Sequence, residues 1–373
     1  MPRSRTLGIT VGITAVLALG GIAGAAFAAT APPTTAPPAT TKPGWHVVKA
    51  VGSGVTGDFT AVVATGKTTG WAFDGNPIAA PTSGAAAWER SGSTWKRVPF
   101  PAQTNEEVVA ASATSTSDVW AFTEDLTPSG QSRVLRWNGH HWSVAKTFTD
   151  LIGSASVVAA NDVWVFGQPG VIERLGAWHY NGRTWSQVSK SAEGGSALAA
   201  NNVWAVSGTR VLHWNGRAWA NTSVAKLLPP ATQFNDPMLT GIYAASADSV
   251  YAVGNGDLED DGGPMVLLHY NGARWDKVAA GNFGYGTEPS QQISPDGSGG
   301  LWLPMPGYDG QLSYLVHYSA GKLSKAALPA SAADITVESV AHVPGTTQEL
   351  AGGFTHAKDD PELDVTGVLL ASG

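Results

Sequence analysis

A short motif recurs along this chain at a nearly constant spacing, and such a repeat constrains the fold more than any single residue does. The aromatic or equivalent position of the motif recurs at intervals between 40 residues, from Trp164 to Trp204, and 51 residues, from Tyr251 to Trp302. A period of roughly 40–50 residues is typical of a four-stranded propeller blade and is too long for a leucine-rich repeat. The copies read DVWAF at 118–122, DVWVF at 162–166, NVWAV at 202–206 and SVYAV at 249–253, with looser forms TGWAF at 69–73, GLWLP at 300–304 and ELAGG at 349–353.

A second motif follows each of the first six copies and predicts a β-hairpin. In its clearest forms Asn-Gly lies between two aromatic-bearing runs, and both residues tolerate positive φ angles. We therefore expect the two outer strands of each unit to be joined here. The copies read LRWNGHHW at 135–142, WHYNGRTW at 178–185, LHWNGRAW at 212–219 and LHYNGARW at 268–275, with looser forms VHYSAGKL at 316–323 and WERSGSTW at 88–95.

Runs of small residues precede the copies of the first motif and predict the innermost strand of each unit. Examples are VVAASAT at 108–114, ALAAN at 197–201 and IYAASA at 242–247. Small side chains suit this position because blades crowd together around a propeller axis. Each unit then supplies an inner strand, a strand carrying the Trp, and a hairpin of two outer strands.

The two ends of the repeat region predict how the propeller closes. The last unit has candidate strands near 337–343, 349–354 and 365–371 and lacks an outermost strand. The segment Trp45–Val48 has the W-x-x-V form of the outer strands at Trp95–Val98 and Trp185–Val188. We therefore predict an all-β fold over residues 45–373, a seven-bladed β-propeller of four-stranded antiparallel blades closed by an N-terminal outer strand that joins the last blade. Such closure removes free sheet edges.

The N-terminal segment, residues 1–29, has the pattern of a signal peptide. Arg3 and Arg5 precede an apolar run from Leu7 to Phe27, and AFA at 26–28 is a cleavage pattern that predicts a cut after Ala28 or Ala29. The run is long enough that an uncleaved membrane anchor is an alternative. We expect a secreted, extracellular protein, or one associated with the cell envelope.

Residues 30–44, TAPPTTAPPATTKPG, predict a linker between this segment and the repeats. Pro and Thr alternate there without apolar periodicity, which is typical of an extended, semi-rigid spacer. We interpret it as a stalk.

Composition excludes several classes of function. The chain has 22 basic and 29 acidic side chains, a balance that argues against a nucleic-acid partner. It has no Cys, which excludes disulfide scaffolds, thiol nucleophiles and zinc-thiolate sites. We expect a monomer.

The repeat region resembles secreted bacterial seven-bladed propellers of the kelch-like or Asp-box-like kind. The resemblance covers residues 45–373 and implies the propeller architecture, without assigning a subfamily. A kelch-type Gly-Gly doublet is approached only at Gly352-Gly353, and the tail of the Asp-box pattern occurs at Gly92–Trp95 and Gly182–Trp185. Propellers host lectins, hydrolases, lyases and scaffolds, so the resemblance does not select a function.

Recurrent His residues invite a metal interpretation, which geometry opposes. They stand at one repeat position, on the predicted third strand of different blades, about 10 Å outside the inner strand. One metal needs all of its ligands within about 2 Å. We interpret them as repeat residues that support the hairpin: His179, His213, His269 and His317, with Arg136 in the equivalent place.

Two acidic runs, at 257–262 and 359–364, resemble parts of calcium loops. Calcium requires six to eight oxygen ligands and commonly a distal bidentate carboxylate, which neither run supplies at a fixed spacing. We interpret both as solvated loops, predict no cofactor, and retain only weak calcium candidates at Asp257, Glu259, Asp260 and Asp261.

The sequence lacks the motifs of the common hydrolases and nucleotide-binding enzymes. It has no G-x-S-x-G, no H-E-x-x-H and no phosphate-cradling Gly loop. We therefore predict a protein that is not an enzyme.

Loop lengths indicate where a ligand would bind. Connections between second and third strands and between blades vary in length, and in a propeller both emerge on one face. Variable loops on a rigid scaffold are where binding is commonly placed. We predict a ligand-facing surface there, formed by Phe283, Tyr285, Tyr308, Asp309, Phe234 and His356. The alternative is that the loop aromatics pack onto the blade edges.

These features predict a non-catalytic binding or scaffold module that recognises an extracellular glycan, peptide or protein on its loop-rich face. Two alternatives remain open. One is a glycan-active hydrolase or lyase, which would place at least two convergent titratable groups at the central opening of that face. The other is a lectin with repeated aromatic pockets, which would have several equivalent sites.

Overall fold

The computed structural model describes residues 44–51, 57–75, 84–125, 127, 130–170, 175–231, 237–255, 265–283, 291–306, 313–329, 333–357 and 366–373. The predicted signal peptide and all of the predicted linker except Gly44 lie outside these residues. Within the described part of the chain, no helix has the length and apolar character needed to cross a membrane. Apart from one 3₁₀ turn, Ala225–Leu227, the regular secondary structure of the described residues is all β.

Twenty-eight strands form one eight-stranded and five four-stranded sheets in the described residues. The four-stranded sheets are β2–β5 (Phe59–Gly66, Thr69–Asp74, Ala86–Ser91, Thr94–Val98), β6–β9 (Glu106–Ser115, Asp118–Asp125, Ser132–Trp137, Trp142–Phe148), β18–β21 (Met238–Ser246, Ser249–Asn255, Met265–Tyr270, Trp275–Gly281), β22–β25 (Ser294–Pro295, Leu301–Met305, Tyr314–Ser319, Lys322–Lys325) and β26–β28 (Ala333–His342, Glu349–Ala357, Thr366–Ser372) with β1 (Trp45–Val51).

The eight-stranded sheet contains two successive runs of four antiparallel strands. The runs are β10–β13 (Ile152–Ala159, Asp162–Gly167, Ala177–Tyr180, Trp185–Ser189) and β14–β17 (Glu193–Ala199, Asn202–Ser207, Arg210–Trp214, Trp219–Ser223). A single parallel pair, Gly167 with Glu193, joins them. The architecture is thus an all-β, propeller-like arrangement of repeated antiparallel sheets.

The N-terminal strand completes the sheet formed by the C-terminal strands, as the sequence predicted. Strand β1 pairs antiparallel with β28, from Trp45 opposite Ser372 to Val51 opposite Gly367. The Trp45 ring is buried and packs edge-on against Trp302 of the preceding sheet, with ring centroids 5.4 Å apart. The first strand therefore joins two sheets that are distant from it in sequence.

The Asn-Gly motifs form the predicted outer hairpins, but by a different turn. Trp137 pairs with Trp142, which leaves a four-residue connection, and the Asn138 side-chain Oδ1 accepts hydrogen bonds from the backbone N–H groups of His140 and His141. Gly139 has φ +92°, whereas Asn138 is not in the positive-φ region. The Asn closes the turn through its side chain, and only the Gly uses the left-handed conformation.

The recurrent His residues support their sheets by a repeated stack. His179 lies on the Trp164 ring, with centroids 4.3 Å apart, and its Nε2 lies 2.8 Å from the Asp162 carboxylate, which also accepts a hydrogen bond from the Trp164 indole. The guanidinium of Arg136 occupies the same place over Trp120 in its own sheet. Equivalent stacks involve His213 on Trp204, His269 on Tyr251 and His317 on Trp302.

Neighbouring inner strands are tied together by serine hydroxyl groups. The Ser154 and Ser156 Oγ atoms of β10 accept hydrogen bonds from backbone N–H groups of β14, and Ser196 of β14 does the same for β18. Ser339 of β26 accepts one from Val62 of β2. Small hydroxyl side chains therefore supply the contacts between inner strands that no sheet ladder provides.

Closure by β1 should contribute measurably to stability. We expect Trp45→Ala to lower the free energy of unfolding by about 3 kcal/mol, because it removes a large buried ring and leaves a cavity against Trp302. Urea denaturation followed by Trp fluorescence measures the change. The matched control is Val47→Ala on the same strand, where the side chain is 44% exposed and the expected loss is below about 0.5 kcal/mol. Equal losses for the two variants would contradict a closing role for Trp45.

Candidate functional site

A cavity of about 240 Å³ lies at one end of the inner strands. Part of its lining comes from the first residues of inner strands, such as Thr60 and Glu107. The rest includes residues at or just beyond the ends of second strands, such as Glu124, Gln168 and Pro306. The connections between second and third strands and between sheets therefore leave from this end. It is the central opening of the face on which the sequence places its variable loops. The lining residues are Thr60, Glu107, Val109, Glu124, Ile152, Gly153, Gln168, Pro169, Thr240, Gln291, Gln292, Pro306 and Glu338.

β-Bulges direct several of these residues toward the opening. Six inner strands skip one residue in their pairing with the second strand, near the end at which the cavity lies. A bulge changes the direction of a side chain locally and is common next to functional sites. The skipped residues that line the cavity are Thr60, Val109, Gly153, Thr240 and Glu338. The sixth skipped residue, Gly194, is not part of the lining.

Four carboxylic acids gather on one side of this opening. Glu107 of β6 lies directly opposite Glu124 of β7 in the antiparallel ladder, an arrangement in which two like charges destabilise a sheet. Asp58 stands two residues before the bulge residue of its strand, the position that Glu107 holds in the neighbouring sheet. Glu338 is itself the bulge residue of β26. We call Asp58, Glu107, Glu124 and Glu338 the acidic group.

Burial keeps these acids protonated to an unusually high pH. It raises the pKa of Glu107, Glu124 and Glu338 from 4.5 to about 7, and the charge of Glu107 adds to the effect on the pKa of the other two. Burial also raises the pKa of Asp58 well above its ordinary value, with further contributions from Glu338 and Glu107, and then from Asp74. The charges that raise these pKa values are thus those of other carboxylates.

Three buried oxygen atoms at or next to the opening have no hydrogen-bond partner among the described residues. They are Asp58 Oδ1, Thr60 Oγ1 and Gln291 Oε1, and each is buried although its residue as a whole is partly exposed. Buried acceptors of this kind cost free energy until a donor reaches them. The Gln291 amide oxygen and an ionised Asp58 carboxylate can only accept, whereas the Thr60 hydroxyl can also donate. The opening therefore offers buried acceptors that the donors of a ligand would satisfy.

The neighbouring acid Glu106 shows how this chain neutralises a buried carboxylate where no ligand is needed. Glu106 is 1% exposed and forms a buried salt bridge with Arg133, and the Thr123 hydroxyl and the Gln103 backbone N–H donate further hydrogen bonds to it. None of the ion pairs within the described residues involves a member of the acidic group. Of two adjacent glutamates on one strand, Glu106 therefore forms an ion pair, whereas Glu107 forms none with the described residues.

Below the opening, the inner strands enclose a second cavity of about 480 Å³ along the axis. The two cavities share Gly153, Gln291 and Gln292 in their linings. Gln292 crosses between them: its Nε2 donates to the Val109 carbonyl of β6, and its Oε1 accepts from the Ser339 hydroxyl of β26. The Gln292 side chain therefore forms part of the floor of the opening.

Most of the sequence-predicted ligand surface lies outside the described residues. That holds for Tyr285, Tyr308, Asp309 and Phe234, for the side chain of His356, and for the weak calcium candidates at 257 and 259–261. Phe283 is described: it follows the outer strand β21, packs against Tyr314 with ring centroids 6.1 Å apart, and does not line the cavity. The aromatic surface stays a prediction.

Sequence reasoning missed the acidic group, although a signal for it exists. The run VVAASAT, predicted as an inner strand, follows directly on Glu106-Glu107, and the predicted inner strand at 337–343 contains Glu338. A charged residue within or beside a run of small residues is unusual for a strand that crowds around an axis. That conflict between residue type and position is the signal from which the sequence could have indicated the site.

Comparison with known proteins supports the architecture. No family model and no curated protein matches the chain in sequence. Among solved structures, YCF48 bound to D1 peptide aligns at TM-score 0.51 and 13% identity over 89% of this chain and 99% of its own. The extracellular domain of a one-component system of B. thetaiotaomicron aligns at 0.56 and 8%, over 86% and 40%. A GH74 xyloglucanase of Xanthomonas campestris aligns at 0.53 and 14%, over 86% and 55%. At these identities the likeness concerns the fold alone.

The raised pKa values predict how stability depends on pH. The folded protein holds protons that the unfolded chain releases, so the contribution of the acidic group to stability falls as the pH rises from about 4.5 to about 7. We expect Glu107→Gln to raise the free energy of unfolding by roughly 1–2 kcal/mol at pH 8 and to change it little at pH 4.5. Denaturant unfolding across this pH range measures both values.

The control for this prediction is Asp248→Asn, which removes one charge at an exposed turn. It should leave the pH profile of the wild type unchanged. If Glu107→Gln leaves the profile unchanged as well, the burial of charge at the opening is not what sets it.

Proposed function

We propose that this chain is a secreted, non-catalytic propeller module that binds an extracellular peptide or protein segment at the central opening of its loop-rich face. The observation that carries the proposal is the cavity at that opening, where buried acceptors lack donors and the carboxylates lack counter-ions among the described residues. Groups left unsatisfied inside a protein cost stability, and a ligand that satisfies them explains why they are there.

The lining favours a peptide over a glycan. None of the described lining residues is aromatic, so these residues offer a sugar ring no platform on which to stack. The volume of about 240 Å³ suits one inserted side chain better than a larger ligand. The similarity in fold to a propeller solved with a bound peptide adds support at the level of architecture.

We also infer that the propeller has seven blades. The supporting observation is that β10–β13 and β14–β17 each repeat the four-strand antiparallel pattern of the other sheets, and that only one ladder pair joins the two runs. Read as two blades, they bring the number of four-stranded units to seven. An experimental structure with any other number of units around the axis would contradict this count.

A glycan-active hydrolase is the second candidate function. The pair of Glu107 and Glu124 favours it, because two carboxylates, at least one with a raised pKa, are the groups that glycoside hydrolysis uses. The fold similarity to a xyloglucanase agrees with this candidate without selecting it. We rank it second because the acids stand beside unpartnered neutral acceptors, an arrangement that suits binding.

One experiment tests location and activity together. The chain is expressed in a secreting bacterium, and protein from the medium is sequenced at its N terminus, which we expect at Ala29 or Thr30. That protein is screened on arrays of peptides and glycans, and the oligosaccharides are assayed for cleavage. A cavity-filling variant, Val109→Phe, should weaken binding of the ligands found at least tenfold, because Val109 lines the opening.

The matched control is Val144→Phe, the same substitution on an outer strand where the side chain is 47% exposed. It should bind as the wild type does. Ligands that bind both variants equally well would overturn the opening as the binding site. Cleavage of an oligosaccharide by the wild type and not by Glu107→Gln would replace the proposal by the second candidate, and protein retained in the cell with its leader would overturn secretion.

A further inference from the structure

Among the residues that the structure describes, no side chain of opposite charge pairs with the acidic group, and the geometry of the group makes that costly. Glu107 and Glu124 face each other across β6 and β7, so the ladder holds the two side chains close together at their base. Glu338 is held at a bulge on β26 and affects the pKa of Asp58 through its charge. Three neighbouring sheets thus contribute negative charge to one side of one opening.

The second requirement of the opening is for hydrogen-bond donors. Asp58 Oδ1, Thr60 Oγ1 and Gln291 Oε1 are buried and have no partner among the described residues. Two of these residues, Thr60 and Gln291, line the cavity itself, and Asp58 lies close enough to Glu107 and Glu338 for their charges to raise its pKa. A ligand that fits must therefore carry positive charge and several N–H groups at once.

We propose that the opening binds an organic cation, the ammonium or guanidinium group of a Lys or Arg side chain that a peptide or protein partner inserts along the axis. This assignment rests on the proposed binding function and specifies its ligand. A Lys ammonium has three donors and an Arg guanidinium has five, and neither accepts a hydrogen bond. Such groups match a site that offers acceptors and negative charge.

The size of the cavity separates this ligand from a single metal ion. One ion would occupy a small part of about 240 Å³ and would need six or more oxygens converging on one point. The acceptors here are spread around the opening, from Thr60 and Glu338 to Gln291. A polyatomic cation on a flexible stem reaches separated acceptors, and its apolar stem can lie against Val109 and Ile152.

In the absence of ligand, protons neutralise the site. The acids whose charges act on one another there are Asp58, Asp74, Glu107, Glu124 and Glu338. Among the described residues, the one cation that acts on any of their pKa values is Arg97, which lowers the pKa of Asp74. A cation favours their charged forms, so it should displace protons as it binds. Binding near pH 7 is therefore coupled to proton release and weakens as the pH falls.

The test is isothermal titration calorimetry on the full chain with three peptides that differ at one side chain. The peptides are Ac-Gly-Gly-Lys-Gly-Gly-NH₂, its Arg counterpart, and the counterpart with Nε-acetyl-lysine, which keeps the length and removes the charge. We expect the Lys or Arg peptide to bind at pH 8 at least tenfold more tightly than the acetyl-lysine peptide. Titrations at pH 7 in buffers of different ionisation enthalpy should show protons released on binding.

Variants then locate the binding. Glu107→Gln with Glu338→Gln should weaken binding of the Lys peptide at least tenfold, and Asp248→Asn should leave it unchanged. The double variant removes buried like charges, so a loss of binding is not a loss of folding, and its unfolding curve at pH 8 checks this. Equal binding of the Lys and acetyl-lysine peptides, or no difference between the double variant and the wild type, would overturn the proposal.

Further probes identify the source of the cation and separate this proposal from the binding function. Spermidine and n-butylammonium test a free amine, and a free amine that binds more tightly than either cationic peptide overturns the assignment to a side chain. Calcium chloride tests a metal, and calcium binding abolished by the double variant overturns the organic cation. If array ligands depend on Val109 but no cationic probe binds, the opening is a binding site and the cation assignment alone fails.

Discussion

Convergence of the inner strands on one axis is the constraint on which the rest of this structure depends. Strands that crowd together can carry only small side chains, which is why Ala, Ser and Gly dominate β10 and β14. The backbones of neighbouring inner strands are not joined by a ladder, so the hydroxyl groups of Ser154, Ser156 and Ser196 bridge them. The same crowding leaves little room for a charged side chain, and any acid at the end of an inner strand must lie in the opening or find a cation nearby.

That constraint explains why Glu106 and Glu107, adjacent in sequence, have different roles. Successive residues of a strand point to opposite faces. Glu106 points away from the opening and forms a buried pair with Arg133, a stabilising arrangement that is complete within the fold. Glu107 points into the opening opposite Glu124, where none of the described residues compensates its charge. Functional sites commonly retain interactions that cost stability, and the unneutralised pair has this character.

Much of the fold could be predicted from the sequence because it depends on local, repeated signals. The Trp of the DVW-type motif and the Asn-Gly hairpin recur in unit after unit, and the pairing of Trp45 with the last sheet follows from counting strands at the two ends. The site was harder to predict, because it depends on register. Whether Glu338 points to the axis is decided by one skipped residue between Val337 and Ser339, and nothing in the local sequence marks a bulge there. The turn chemistry of Asn138 was also not evident, since Asn-Gly is compatible with more than one hairpin. Phe283, which the sequence analysis places on a ligand-facing surface, packs beside Tyr314.

The asymmetry of the opening bears on the number of ligands that one chain can bind. The bulge recurs in six inner strands, but its residue differs in chemistry from strand to strand, including Gly153, Thr240 and Glu338. The acids come from three neighbouring sheets, through β26, the segment before β2, and the pair β6 and β7. Neutral residues such as Thr240 and Gln291 form other parts of the lining. A repeated pocket would carry the same side chains in each unit. Here the backbone conformation is repeated but the side chains differ, so the scaffold presents one off-centre site per chain. A lectin with several equivalent pockets matches this arrangement less well than a module that holds a single inserted side chain.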